Sequence, residues 1–361
     1  MSKRKIKRIT FITTNLCGGG AERVLTQLAN SLSRRGHDIS IITFEALRVY
    51  ELYSKVRHLS IGKVSTLALY QMMKKENSDV YISFLHHPNL HTMLANLLLR
   101  KKVIITERSD PKSELYKLFG DSWNIGYKIF FVKLLYKLAD GMVFQTKWQR
   151  MQYSKKPSKK FTIICNPVAY ELPDAYDGER EEKIVSVGTI KPCKNYPLLI
   201  NAFARFHKEF PNYKLYIYGG WNVGKRAEIS VLINRHRLDK NVVLCGFQKN
   251  VHHEIRNAAI YVLSSSFEGM PNALLEALAL GLPCISTDCP AGGPRKLIQH
   301  GKNGLLVPAN DEKALVNAMI LLCKNKKLRD DLGNEAAKAR KTFHIEKVTD
   351  QWEQFIYRIL S

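Results

Sequence analysis

Short apolar runs rich in β-branched residues alternate with longer amphipathic segments along the chain, and this alternation restricts the fold more than any other feature. It is the pattern of parallel strands joined by helices that cover the sheet. In the first half the strands read as Arg8 to Thr14, Asp38 to Phe44, Asp79 to Phe84, Lys102 to Thr106 and Gly141 to Phe144. A helix over Ala21 to Arg35 is closed by Gly36. After the polar stretch Glu171 to Glu182 a second series begins, with strands at Lys183 to Val187, Lys214 to Tyr218, Asn241 to Cys245, Ile260 to Ser264 and Pro283 to Thr287. Helices fall between them at Tyr196 to Phe210, Val223 to Leu238 and Asn272 to Leu280. The expected fold class is α/β: two tandem doubly wound domains, 1–170 and 171–342, with a cleft between the carboxyl ends of their sheets. A helix within 343–361, Glu346 to Leu360, is long enough to cross back to the first domain.

Charge separates the two halves. The 361 residues carry 56 Lys and Arg against 32 acids, a net +24, which points to an anionic partner: nucleic acid, lipid surface or phosphorylated substrate. Residues 1–170 hold 29 basic and 11 acidic side chains, net +18, and 171–361 hold 27 and 21, net +6. The seven cysteines are scattered with no two-residue-spaced pair, against a disulfide framework or zinc site and in favour of a reducing compartment. The basic N-terminus runs through a short apolar stretch into a glycine loop, so it reads as a first buried strand rather than a leader. No uninterrupted apolar run is long enough to span a bilayer.

Two places carry chemistry. The first strand ends in Asn15-Leu16-Cys17-Gly18-Gly19-Gly20 before a helix. Such a junction is either a tight turn or a loop whose backbone approaches a phosphate or sugar at a helix N-terminus. The spacing is not the dinucleotide fingerprint. Farther on, Phe267-Glu268-Gly269-Met270-Pro271-Asn272-Ala273-Leu274-Leu275-Glu276 joins a strand to a helix, with Pro271 suited to its first turn. Glu268 in the loop can accept from sugar hydroxyls and Glu276 on the helix can take a pair of ribose hydroxyls. By spacing alone, a solvated acid and a helix-surface acid are the readier reading of the two.

These segments, with VGTIKPCKNYPLLINAF after the linker, CGF at 245–247 and GLPCISTDCPAGGPRKLI, resemble retaining family 4 glycosyltransferases of the GT-B type, two Rossmann-like domains in tandem. The flavour is that of bacterial enzymes building capsule, O-antigen or lipid-linked oligosaccharide. The resemblance implies that Glu268 contacts the transferred sugar, Glu276 holds the nucleotide ribose and Lys194 faces the donor diphosphate, whose charge grows as it leaves. It further implies that Gly19 and Gly20 approach the diphosphate and that Gly246 and Phe247 contact the base. Gly269, Met270, Pro271 and Asn272 fall on the nucleotide-sugar side.

Two positions depart from the family's pattern. An arginine usual after the glycine closing the first strand of the second domain is Thr189 here, leaving Lys191 or Arg295 to compensate. The Glu-His pair of many relatives is Glu107-Arg108, which leaves His86 and His87, with Arg108, as acceptor-side candidates. No cofactor or metal is expected, because paired aspartates with one intervening residue are missing and Lys194, glycine amides and a helix N-terminus can neutralise the diphosphate instead. The stretch Lys112 to Leu138 interleaves Lys117, Lys128, Lys133 and Lys137 with aromatic and leucine side chains. It reads either as a membrane-surface segment or as an amphipathic helix with solvated lysines. The expectation is a cytoplasmic enzyme, peripheral on the inner face of the cell membrane. It would move a hexose or N-acetylhexosamine from a UDP-sugar to a polyprenyl-diphosphate-linked glycan, with retention and without a nucleic-acid partner. The alternatives are a catalytically impaired glycan-binding or scaffold subunit and, from charge alone, a nucleic-acid binder lacking any recognised module.

Overall fold

A computed structural model of the chain describes residues 6–108, 125–154, 156, 158–221 and 223–361. They divide into two compact units: residues up to Pro167 together with Ile345–Ser361, and Val168–His344.

The first unit is built on β1 (Arg8–Thr13), β2 (Asp38–Thr43), β3 (Arg57–Ser60), β4 (Val80–Phe84), β5 (Lys102–Thr106), β6 (Gly141–Phe144) and β7 (Phe161–Ile163). They form one parallel sheet in the order β3-β2-β1-β4-β5-β6-β7. The helices are α1 (Gly20–Arg34), α2 (Thr66–Glu76), α3 (His86–Leu99), α4 (Ile125–Lys137) and α5 (Lys147–Met151). All five residues of β4 are buried, as expected for a strand covered on both faces. Lys112 and Lys117 lie outside the described residues.

The second unit carries β8 (Glu181–Val187), β9 (Lys214–Tyr218), β10 (Val242–Gly246), β11 (Ala258–Leu263), β12 (Cys284–Asp288) and β13 (Leu305–Pro308). This sheet is also parallel, in the order β10-β9-β8-β11-β12-β13. Its helices are α6 (Tyr196–His207), α7 (Val223–Arg235), α8 (Val251–Ile255), α9 (Asn272–Ala279), α10 (Gly293–Leu297), α11 (Glu312–Lys324), α12 (Lys326–Ala337) and α13 (Ala339–Thr342). The last helix, α14 (Ile345–Leu360), belongs to the first unit. Its Trp352 stacks on Phe84 at 6.0 Å, and Arg35 beyond α1 is held by Glu346, Asp350 and Glu353 at 2.6, 2.7 and 2.9 Å.

The structure corrects the sequence reading at the sheet edges. Strands β3, β7 and β13 were not expected, and each is an outermost strand. Edge strands are short and tolerate polar residues and proline, so RHLS, FTI and LLVP leave no long apolar run. The helices expected to reach Phe210 and Leu238 stop at His207 and Arg235. Arg237 beyond the second is left-handed at φ 57°. The units divide at Pro167 and His344 rather than at 170 and 342.

Candidate functional site

In the second unit strand order reverses beside β8, which pairs with β9 on one side and β11 on the other. Ligands of open parallel sheets bind at the carboxyl ends of strands at such a switch point, and the loops there gather most of the expected residues. After β8 the chain passes Gly188 to Lys191 and makes a 3-10 turn over Pro192–Lys194 before α6. After β11 the Ser264 to Pro271 loop leads into α9, whose first residue is Asn272. Ser264 Oγ donates to the Lys194 carbonyl at 2.9 Å and Ser266 N to the Cys193 carbonyl at 2.9 Å, so the two loops are tied by one side-chain and one backbone hydrogen bond.

On this frame Lys194 Nζ stands 2.5 Å from Glu268 Oε1, and Ser265 Oγ donates to the same oxygen at 2.8 Å. Both charged side chains keep a minor exposed fraction, 19% and 14%. The pair therefore presents a fixed cation and a fixed acceptor to a ligand, and a cation so held acts most strongly on charge that develops beside it. Tyr196 supports the turn from below, donating to the Gly188 carbonyl at 2.7 Å, and burial raises its phenol pKa above the usual range.

Gly269 and Met270 are buried and Pro271 caps α9 without a side-chain hydrogen bond. A Cβ on Gly293, in α10, would fall 1.8 Å from the Gly269 carbonyl oxygen, so only glycine lets α10 press against this loop. Glu276 is buried on α9, and its Oε2 lies 2.9 Å from His252 Nε2 of α8. His252 was not a sequence candidate. It sits 24 residues away on a separate element, and no spacing signals the contact. Gly246 ends β10 in the left-handed region, φ 73°, beneath the Trp221 ring, and Phe247 follows with 77% of its surface exposed.

Of the two substitutes considered for the missing arginine at Thr189, Arg295 is engaged elsewhere. Its guanidinium forks onto Asp288 at the end of β12, with Nε 3.0 Å from both carboxylate oxygens. Lys191 is exposed on the Thr189 loop and its ammonium makes no hydrogen bond or ion pair among the described residues.

In the first unit Gly19 caps α1 and Gly20 is its first residue. Tyr50 OH donates to the Gly19 carbonyl at 3.0 Å. At the ends of β4 and β5, His86 Nε2 stands 2.8 Å from Glu107 Oε1, and Tyr153 OH donates to Glu107 Oε2 at 2.6 Å. Arg108 lays its guanidinium over Phe84, 4.2 Å from the ring centre, and donates to Asn166 Oδ1 at 2.6 Å. Burial pulls its pKa down to about 9 against the opposing pull of Glu107. His86 and Arg108 thus flank one carboxylate. His87 turns instead to Phe44 and His91, with ring centres 5.8 and 4.7 Å away.

Among the described residues no helix is long and apolar enough to cross a membrane, and no three His, Cys, Asp or Glu side chains cluster as metal ligands. The family model for glycosyltransferase family 4 matches residues 18–172, and that for glycosyl transferases group 1 matches 175–339. A Campylobacter jejuni N-acetyl-D-galactosaminyltransferase, whose name gives a PP-undecaprenol-linked GalNAc glycan as acceptor, is 29% identical over 98% of this chain and 99% of its own. An Escherichia coli UDP-Gal:alpha-D-GlcNAc-diphosphoundecaprenol galactosyltransferase is 24% identical over 92% of each. The structure of sucrose-phosphate synthase from Thermosynechococcus elongatus superposes with a TM-score of 0.81 at 19% identity, over 98% of both chains. The chain belongs to the glycosyltransferases: a family 4 domain followed by a group 1 domain, in the GT-B fold.

Proposed function

We propose that this glycosyltransferase moves a hexose or N-acetylhexosamine from a UDP-sugar to a hydroxyl of a polyprenyl-diphosphate-linked glycan, with retention of configuration and without a metal ion. The observation that carries the reading is the Lys194–Glu268 pair at the switch point of the second sheet. Lys194 neutralises the departing diphosphate and Glu268 accepts from the sugar hydroxyls. Glu276, held by His252, takes the ribose, and the Gly246–Phe247 turn takes the base. Lys191 supplies the second cation in place of the family's arginine. The relatives' names support the donor and acceptor classes: one carries UDP-Gal, and both carry undecaprenol-linked acceptors.

In the front-face route the acceptor oxygen attacks the anomeric carbon as its bond to the phosphate oxygen breaks, and that oxygen takes the acceptor proton. No carboxylate nucleophile is then required. His86, beside Glu107, and Arg108 are the acceptor-side groups in this reading. The enzyme works at the inner face of the cell membrane, where a polyprenyl-linked acceptor resides. A screen of UDP-sugars for thermal stabilisation, followed by transfer assays with the best ligand in the presence of a chelator, tests the proposal. Stabilisation and α-linked product are expected. Absence of stabilisation by UDP and by every UDP-sugar would contradict it and favour the scaffold reading that Thr189 raises.

A further inference from the structure

The geometry points to the outer face of the α3–α4 helix pair as the surface by which this chain docks on an anionic bilayer. The inference rests on the lipid-linked acceptor proposed above and names the face that meets the lipid.

Helix α4, IGYKIFFVKLLYK, is dominated by apolar and aromatic residues with three interspersed lysines, the composition of a helix that lies at a lipid interface. Only one side of α4 is buried. Val132 and Tyr136 point inward, and Tyr136 OH donates to the His86 carbonyl of α3 at 2.9 Å, tying the two helices together. The other side presents Tyr127, Phe130, Phe131, Leu134 and Leu138, at helical spacings of three and four residues, with Phe130 62% and Phe131 63% exposed. Helix α3 packs against α4 and contributes Leu97 and Leu98, the latter 75% exposed. Neither 86–102 nor 125–138 contains an aspartate or glutamate.

Cations border this face. Lys133 and Lys137 lie on α4, and Arg100 and Lys101 follow α3, beside an open groove of about 330 Å³ that Leu97 and Leu138 also line; the one acid lining it, Asp140, is paired with Lys102 at 3.1 Å. Apolar and aromatic side chains rimmed by basic ones suit the boundary between acyl chains and anionic headgroups. A second copy of this chain fits poorly, because pairing like faces would oppose these cations. The stripe from Tyr127 to Leu138 spans about 16 Å at 1.5 Å per residue, so the helix can lie flat on the surface.

The test is co-sedimentation of the full chain with phosphatidylcholine vesicles with and without phosphatidylglycerol. Wild type is expected to bind the anionic vesicles and to be released by salt. Phe130→Ser/Phe131→Ser should weaken binding at least tenfold. Lys133→Gln/Lys137→Gln should weaken it about tenfold and flatten its salt dependence. Leu98→Ser should weaken it through α3 alone. Stabilisation by UDP, measured in the same preparations, should persist in every variant and shows that each is folded. The inference is overturned if wild type ignores anionic vesicles, if it binds neutral ones equally, if the variants bind like wild type, or if the face proves to hold a dimer that the serine variants dissociate. Loss of UDP stabilisation in wild type, by contrast, strikes the enzymatic reading and leaves the vesicle result standing.

Discussion

Lys194 and Glu268, 74 residues apart in sequence, meet at 2.5 Å across the two loops that leave β8 and β11. Ser265 holds the carboxylate oxygen that Lys194 contacts, so each charge is oriented before a ligand arrives. Lys194→Ala should lower kcat by about two to three orders of magnitude, the cost of removing one preorganised group that acts on transition-state charge. Glu268→Gln should lower turnover while leaving UDP-induced stabilisation intact, since the carboxylate is proposed to meet the sugar and not the nucleotide. Steady-state kinetics and UDP thermal shifts on the same preparations check both.

His252 and Glu276 form a second, part-buried contact in the same unit, at 2.9 Å. A histidine that fixes the carboxylate for the ribose acts on binding rather than on the chemical step. His252→Ala is expected to raise KM for the donor about tenfold with little change in kcat, the pattern of lost uniform binding. Equal loss in kcat and kcat/KM would place His252 in the transition state instead.

Lys191 and Arg295 make opposite predictions. Arg295 is 72% exposed and forked onto Asp288, so Arg295→Ala should leave kcat within about twofold, as surface pairs carry little. Lys191→Ala should reduce kcat/KM by about tenfold or more through the lost diphosphate cation. Thr189→Arg in the Lys191→Ala background should recover part of that loss. Parallel kcat/KM measurements on the three variants decide between the two cations.

His87 and His91 on α3 give the first unit a pH response. Burial holds both imidazoles below the usual 6.5, and at His91 the neighbouring His87 adds to the effect. Below pH 6.5 the unfolded chain therefore binds protons that the folded chain resists, and stability falls as pH drops toward the folded values. Above 6.5 this contribution is constant. The melting temperature should drop between pH 7.5 and 5.5, and His87→Asn/His91→Asn should shrink that drop. An undiminished drop in the double variant would assign it to other groups.

Legibility in the sequence followed burial and distance. Central strands covered on both faces print as apolar runs, so the cores of both sheets were readable. The edge strands β3 and β7 bury no residue fully, and β13 is four residues ending in a proline, so none prints as a run. Glu268, Glu276 and Lys194 were legible because each lies within a contiguous motif. Their partners Ser265, His252 and, for Arg295, Asp288 were fixed only by folding. Glu107 and Arg108 could be named together, but their neighbour His86 comes from the end of another strand. The outward face of α4 was readable as an amphipathic segment. That its aromatic side remains exposed beside the leucines of α3 depended on which side met the sheet.

The most direct measurement is transfer itself. Purified protein is incubated with UDP-N-acetylhexosamines and UDP-hexoses and a polyprenyl-diphosphate-linked N-acetylhexosamine acceptor, with a chelator present. UDP release and the linkage of the product are then followed. Wild type is expected to release one UDP per α-linked sugar transferred, and Lys194→Ala and Glu268→Ala to lose nearly all product at unchanged fold. Turnover that persists in both variants, or a β-linked product, would contradict the proposed reaction.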